Sequence, residues 1–167
     1  KIDEEEYRTE LRKHKNSGMT IMAYNMCAEF CPQLEKWSTR SQKVIDTMMT
    51  ESPDIMLLQE AGTRNYHLIQ LDTKMPENYE QAISYRSKAI YYNSDKFSNV
   101  DVNGAPLPTY HHHAGHGRYI VYAALRNKAS NETFTFISVH LSSSREKWKK
   151  REKEIGVILN TLKRLDN

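Results

Sequence analysis

The sequence predicts an α/β fold, and three patterns predict it. Strand, helix and strand signals follow one another between residues 19 and 58, three more strand signals lie between residues 88 and 141, and a long amphipathic helix signal follows. Strand–helix–strand order argues a crossover connection and a sheet with a helix layered on it. The length agrees: 167 residues suit one domain at roughly 100–200 residues each. A chain of this size removes roughly two-thirds of its unfolded surface from water without cross-links.

Residues 3–15 are charge-dense. Asp3, Glu4, Glu5 and Glu6 precede Arg8, Arg12, Lys13 and Lys15, an order that suits the helix macrodipole, and Glu4 with Arg8 makes an i,i+4 pair. Tyr7 and Leu11 add only a thin apolar stripe, and Asn16-Ser17-Gly18 is a breaker cluster. Residues 1–18 are therefore expected as a peripheral charged helix, outside a domain spanning residues 19–167. Residues 19–25 read as a buried strand ending in polar Asn25. Between residues 37 and 50, Trp37, Val44, Ile45, Met48 and Met49 recur at helical spacing, giving one apolar face to lay on a sheet. Ser52-Pro53-Asp54 breaks that helix. Ile55-Met56-Leu57-Leu58 is the continuous apolar run of a central strand, closed by Gln59-Glu60.

Residues 88–92, 119–125 and 133–141 are rich in Ile, Val, Phe and Tyr and read as an antiparallel meander, with residues 93–95 and 127–131 as turns. Residues 103–117, with Gly104, Pro106, Pro108 and four histidines, read as an irregular loop. Residues 145–165 form the last helix, striped by Trp148, Ile155, Ile158, Leu159, Leu162 and Leu165. Trp37 and Trp148 are expected to pack helix against sheet rather than to stack on bases. There is no internal repeat.

Composition narrows the class. The chain is 38% hydrophobic and 27% charged with formal net charge +3, and its mean hydropathy of −0.76 predicts a soluble protein. The longest apolar run, residues 120–125, is far short of the ~18 a membrane span needs. The chain starts at Lys1 with no apolar segment behind it, so any leader is expected to have been removed. Cys27 and Cys31, the only cysteines, cannot form a disulfide framework; a local bridge and two reduced thiols both remain open. Asn131-Glu132-Thr133 fits the N-glycosylation pattern, relevant only in a eukaryotic secretory pathway. Residues 145–164 carry eight Lys or Arg against three Glu. Such a helix steers polyanions, or is simply a solvated outer face.

Three polar residues stand where apolar strands end: Asn25, Glu60 and His140. Strand ends gather distant residues at one edge of a sheet, where open α/β proteins build their sites. A carboxylate there suits a hard cation such as Mg²⁺, a histidine can move a proton at phosphorus, and an amide can orient its neighbours. Each also has a plain structural reading: a turn cap for Asn25, an N-cap acid for Glu60, a satisfied buried imidazole for His140. His111-His112-His113 with His116 could take Zn²⁺ or Ni²⁺, but adjacent residues seldom converge on one ion, and a polar loop beside a groove is the competing reading.

Taken together, Asn25, Glu35-Lys36-Trp37, Arg40, Asp54-Ile55, Gln59-Glu60-Ala61-Gly62 and Ser138-Val139-His140-Leu141 resemble the endonuclease/exonuclease/phosphatase superfamily, the deoxyribonuclease I-like fold. Within it the resemblance is closest to the catalytic subunit of cytolethal distending toxin, and it runs from about Met19 through the last helix. The resemblance implies the N-terminal half of a four-layer α/β/β/α sandwich with two packed mixed sheets. It implies that Glu60 binds the metal, Mg²⁺ or Mn²⁺, with Asn25 beside it. It implies His140 as the catalytic histidine on the scissile phosphate, and Arg118 and Arg86 as phosphate-binding residues, a task guanidinium groups perform bidentately.

The superfamily continues past the long helix into a strand ending Gly-Asp-Phe/Trp-Asn and a Ser-Asp-His segment, whereas this sequence reaches Leu165-Asp166-Asn167 before either. Fragmentary coverage of a larger active protein is the expectation, with completion by another segment or chain as the other possibility. The implied function is Mg²⁺-dependent phosphodiester hydrolysis, as a DNA endonuclease of the toxin type. The alternatives are a phosphoinositide phosphatase, a sphingomyelinase-type phosphodiesterase, or a non-catalytic module that needs a partner. DNA is the expected partner; delivery or completing subunits and secretion follow only from the toxin resemblance.

Overall fold

A computed structural model of the chain describes residues 18–28, 31, 34–62, 70–100, 110–113, 119–142 and 147–165. The expected peripheral helix of residues 1–18 lies outside the described residues except for Gly18, and so does Arg118.

The apolar run after Pro53 becomes β2 (Ile55–Gln59), the centre of the first sheet. β1 (Ile21–Asn25) pairs with it in parallel, Ile21 opposite Ile55 and Asn25 opposite Gln59. A parallel pair needs a crossover, and α1 (Trp37–Met49) supplies it. On the other side of β2 lies β4 (Lys88–Asn93), antiparallel, and beyond it β3 (Tyr79–Tyr85), giving the order β1-β2-β4-β3. The second sheet is antiparallel in every described pair: β5 (Phe97–Asn99), β6 (Tyr110–His113) and β8 (Thr133–Val139) all pair with β7 (Tyr119–Asn127). Among the described residues, only the first of the two expected mixed sheets is mixed.

Side chains on a strand alternate between faces, and β2 uses both. Met56 and Leu58 join Trp37, Ile45 and Met48 of α1, with Ala89 and Tyr91 of β4, in one core. Ile55 and Leu57 face the second sheet, where Ile90, Tyr92, Val121, Ala123, Leu125 and Phe136 make the other core. Helix, sheet and sheet therefore stack in that order. Each fully buried Ile, Leu or Met in these cores contributes about 1.5–3 kcal/mol of transfer free energy. Tyr91 and Tyr92 carry their hydroxyls out of the cores to Asp72 and Glu80. Burial, and then the Glu80 carboxylate, pushes the Tyr92 phenol up to about 12, so it remains a donor at neutral pH.

Four expectations are corrected. Residues 88–92 do not form a meander with 119–125 and 133–141; β4 pairs with β2, and the turn at 94–96 hands the chain to Phe97 in the other sheet. Part of the loop expected at 103–117 is the strand β6, whose ladder with β7 needs only backbone groups and therefore tolerates three histidines. The strand signals expected from residue 88 onward also left out two strands: β3, which opens on Tyr79-Glu80-Gln81, and β5, only three residues long.

The fourth correction concerns the last helix, α2 (Trp148–Leu165). Trp148 does not pack helix on sheet: it is 57% exposed, and Ile155 and Leu159 are exposed with it. Glu154 is fully buried instead, accepting from the Ser142 backbone N–H at 2.9 Å and its hydroxyl at 2.8 Å. Arg151 closes the arrangement on the Ser142 carbonyl at 3.0 Å. A buried carboxylate must be hydrogen-bonded, and this demand sets the helix rotation. Trp37, by contrast, is buried in the first core as expected.

At the end of β2 away from Glu60, Asp54 binds the Thr20 N–H at 2.8 Å and the Lys96 ammonium at 2.6 Å. Asp54→Ala leaves the Thr20 donor without its carboxylate. It is expected to destabilise the protein by about 1–3 kcal/mol in urea unfolding, with amide exchange accelerated first in β1.

Candidate active site

The carboxylate of Glu60 is the meeting point. It stands one residue past the last β1–β2 pair, where backbone bonds continue the ladder: Met26 N–H donates to Gln59 O and Ala28 N–H to Glu60 O, both at 2.8 Å. Asn25 Nδ2 donates to Glu60 Oε1 at 3.0 Å, and His140 Nε2 lies 3.5 Å from the same oxygen. Asn25 Oδ1 accepts from the Cys27 N–H at 3.0 Å. These two contacts fix the amide orientation, since a flip would set oxygen against carboxylate and nitrogen against N–H. Asn25 is thus both the turn cap and the partner of Glu60. The side chains of His140 and Glu60 are 22% and 26% exposed, open enough to meet a ligand.

His140 arrives from the second sheet, one residue past β8. Ser138, buried on β8, donates its hydroxyl to Leu58 O at 3.1 Å and accepts from Gln59 Nε2 at 3.2 Å. That clasp holds the end of β8 on the end of β2. Glu60 (φ 50°) and Cys27 (φ 47°) adopt left-handed backbone that non-glycine residues avoid, as does Arg86 (φ 51°). Gly62 (φ 94°) lies in the same region of φ, the one residue type that enters it freely.

Arg86 tips the β3–β4 turn, and the Ser87 carbonyl accepts from Ala61 N–H at 3.0 Å, tying that turn to the Glu60 segment. Its guanidinium sits over Tyr119 at 4.9 Å and Tyr85 at 5.8 Å. Its hydrogen bond with Tyr85, then its electrostatic interaction with Tyr119, raises its pKa further. The structure therefore brings Asn25, Glu60 and His140 together and sets Arg86 on an aromatic pair beside them. Of the histidine cluster, His111, His112 and His113 lie in β6, and His116 is outside the described residues.

Sequence reasoning named Arg40 only as part of a motif. Its guanidinium donates to Glu35 O at 3.1 Å, Met26 O at 2.9 Å and Cys27 O, and it stands over the Trp37 ring at 5.0 Å. Arg40 thus fastens the segment that carries Asn25 to the start of α1. Its place one helical turn after Trp37 was the available signal. Cys27 and Cys31, left open from sequence, form a disulfide across this segment, with Cα atoms 5.9 Å apart.

No protein-family model and no curated relative matches the sequence. Solved structures do share its fold. An endonuclease/exonuclease/phosphatase family protein from Bacteroides thetaiotaomicron superposes with TM-score 0.70 at 16% identity, covering 88% of this chain and 56% of that one. The human Nocturnin catalytic domain with bound sulfate gives 0.69 at 15% identity, covering 88% and 58%. D. rerio TDP2 complexed with single-strand DNA product gives 0.65 at 14% identity, covering 88% and 55%. The chain spans little more than half the length of these structures, and at such identities the likeness establishes the fold, that of endonuclease/exonuclease/phosphatase proteins.

The resemblance in sequence leads to the expectation of a divalent cation at Glu60. The donor chemistry suits a hard cation: a partly exposed carboxylate, held by an amide, offers hard oxygen to an ion that keeps several waters.

Lysine cannot reproduce a planar fork that serves several carbonyls and stacks on an indole. Arg40→Lys is expected to retain the far-UV circular dichroism of the native chain. It should accelerate hydrogen exchange at the Met26 and Ala28 amides at least about tenfold, the effect of losing one bond's worth of roughly 1.4 kcal/mol.

Proposed function

We propose that this chain carries the metal-binding half of a phosphodiesterase site and that its reaction is divalent-metal-dependent hydrolysis of DNA. One observation carries the reading: a single carboxylate oxygen, Glu60 Oε1, is met by the Asn25 amide at 3.0 Å and the His140 imidazole at 3.5 Å, at adjoining ends of two sheets. A carboxylate, an amide and an imidazole in that relation suit phosphoryl chemistry, in which charge builds on oxygen and protons must move.

Hydrolysis joins water oxygen to phosphorus, breaks one P–O ester bond and delivers a proton to the departing oxygen. His140 is assigned to hold or deliver that proton, since imidazole exchanges protons near neutral pH. Asn25 keeps the Glu60 carboxylate in one orientation. Glu60 would hold a divalent cation, and such an ion when bound would supply positive charge against that developing on the phosphoryl oxygens. Arg86, braced on Tyr119 and Tyr85, binds a substrate phosphate, and Arg118 is proposed to do the same.

DNA is favoured over phospholipid or inositol phosphate headgroups by the basic run at residues 145–164, which suits an extended polyanion. The single-strand DNA product bound by D. rerio TDP2, a protein of this fold, agrees with that choice. The finer assignment to the toxin type rests on the motifs at Asn25, Glu35–Arg40 and Gln59–Gly62.

The test is nicking of supercoiled plasmid with Mg²⁺, run beside release of phosphate from phosphoinositides and of choline phosphate from sphingomyelin. Nicking that EDTA abolishes, and that His140→Ala lowers by about 10²–10⁴-fold, is the expected result. Undiminished nicking by His140→Ala removes the histidine from the mechanism, and turnover of lipid substrates alone overturns the DNA assignment.

A further inference from the structure

Two sulfurs stand beside the carboxylate just described. Cys27 Sγ, Cys31 Sγ and a carboxylate oxygen of Glu60 all lie within 4.8 Å of one another, and all three residues are half-buried. While the sulfurs are bonded to each other, they offer a metal nothing, and Glu60 has only oxygen chemistry to offer a hard cation. Two thiolates and a carboxylate are a different donor set, suited to a softer, tetrahedral ion. With Zn–S near 2.3 Å and Zn–O near 2.1 Å, ligand atoms around one zinc are about 3.4–3.8 Å apart, so the bonded sulfurs must separate before both can hold one ion.

We propose that reduction of the Cys27–Cys31 bridge opens a zinc site made of the Cys27 and Cys31 thiolates and the Glu60 carboxylate. The backbone at Cys27 does not depend on the bridge for its position. Met26 N–H and Ala28 N–H are bonded to Gln59 O and Glu60 O, and Arg40 holds the Met26 and Cys27 carbonyls. Reduction therefore frees the sulfurs to part while the chain on either side of Cys27 stays docked on Glu60. A water supplies the fourth ligand.

The reductant is a dithiol. One of its thiolates attacks a sulfur of the bridge and releases the other cysteine as thiolate; its second thiol then displaces the mixed disulfide. The dithiol leaves as a cyclic disulfide, having given two electrons, and both cysteines are left as thiols. Zinc binding releases their two protons. The same carboxylate thus serves a hard cation in the oxidised chain and zinc in the reduced one. The consequence for DNA hydrolysis, that zinc silences it, rests on the function proposed above; the metal site itself does not.

The experiment uses the full chain in two forms, air-oxidised and dithiothreitol-reduced, the latter desalted anaerobically. Each is titrated with Zn²⁺ against a chromophoric chelator and with Co²⁺ as a spectroscopic probe. The reduced chain is expected to bind one ion, to show thiolate-to-cobalt charge transfer, and to protect two thiols from alkylation; the oxidised chain should do none of these. Cys31→Ser should lose the charge-transfer intensity of one thiolate, and Glu60→Gln should weaken zinc binding by about tenfold or more, at least the effect of disturbing a ligand's support. Equal zinc affinity in the two redox forms overturns the proposal, as does full alkylation in the presence of zinc or unchanged affinity in Glu60→Gln. These readouts involve no substrate, so a chain that fails to nick DNA but binds zinc only when reduced refutes the catalytic reading and sustains this one.

Discussion

Two sheets packed through apolar side chains are held by a force with no direction, so something polar must set how far one is displaced along the other. In this protein the Ser138 hydroxyl does so, donating a hydrogen bond to Leu58 O on one sheet while accepting one from Gln59 Nε2. Both partners lie within two residues of Glu60, and Ser138 lies two residues before His140. A clasp inside a water-poor interface is worth more than its surface equivalent, because a failed bond there leaves a dehydrated polar group. The separation of imidazole and carboxylate is therefore inherited from the packing of the two sheets.

Three residues around that clasp, Cys27, Glu60 and Arg86, take left-handed backbone without being glycine. Each such residue costs on the order of 1–3 kcal/mol and persists only where its surroundings over-determine it. The surroundings are visible: the Met26 and Ala28 amides on the β2 end, the Arg40 fork on the Met26 and Cys27 carbonyls, and the Ser87–Ala61 backbone bond. At Cys27 and Glu60 the side chains end within 4.8 Å of one another, and at Arg86 the guanidinium lies over Tyr85 and Tyr119. Stability given up at these positions is recovered in the two cores, a usual division between site and scaffold.

Much of this could be read from the sequence, for reasons specific to each element. The run from Ile55 to Leu58 announces a strand buried on both faces, and polar residues that close apolar runs gather at a sheet edge; this brought Asn25, Glu60 and His140 into one frame, although β1 itself is exposed at Ile21, Ala23 and Asn25. Of the strands that escaped notice, β5 is three residues long with Phe97 buried, and β3 buries only the adjacent Ala82 and Ile83, too little to mark a strand. β6 carries three histidines and β3 a Glu-Gln pair, and a ladder bond has no side-chain signature. Arg40 acts on carbonyl groups, which every residue has, so its partners could not be named beforehand. The rotation of α2 misled for a related reason: its apolar stripe is plain, but the buried Glu154 that sets the helix on Ser142 looks in sequence like any solvent-facing acid.

The alternation along β2 bears on how such a chain can change in length. Met56 and Leu58 belong to the core under α1, while Ile55 and Leu57 belong to the core between the sheets. Because the side-chain period is two, inserting or deleting one residue within this strand would exchange those memberships and turn Glu60 to the opposite face. Both cores and the carboxylate would fail together. The turn at residues 50–53, between α1 and β2, is free of that coupling, so length variation is admissible there and barred only a few residues later.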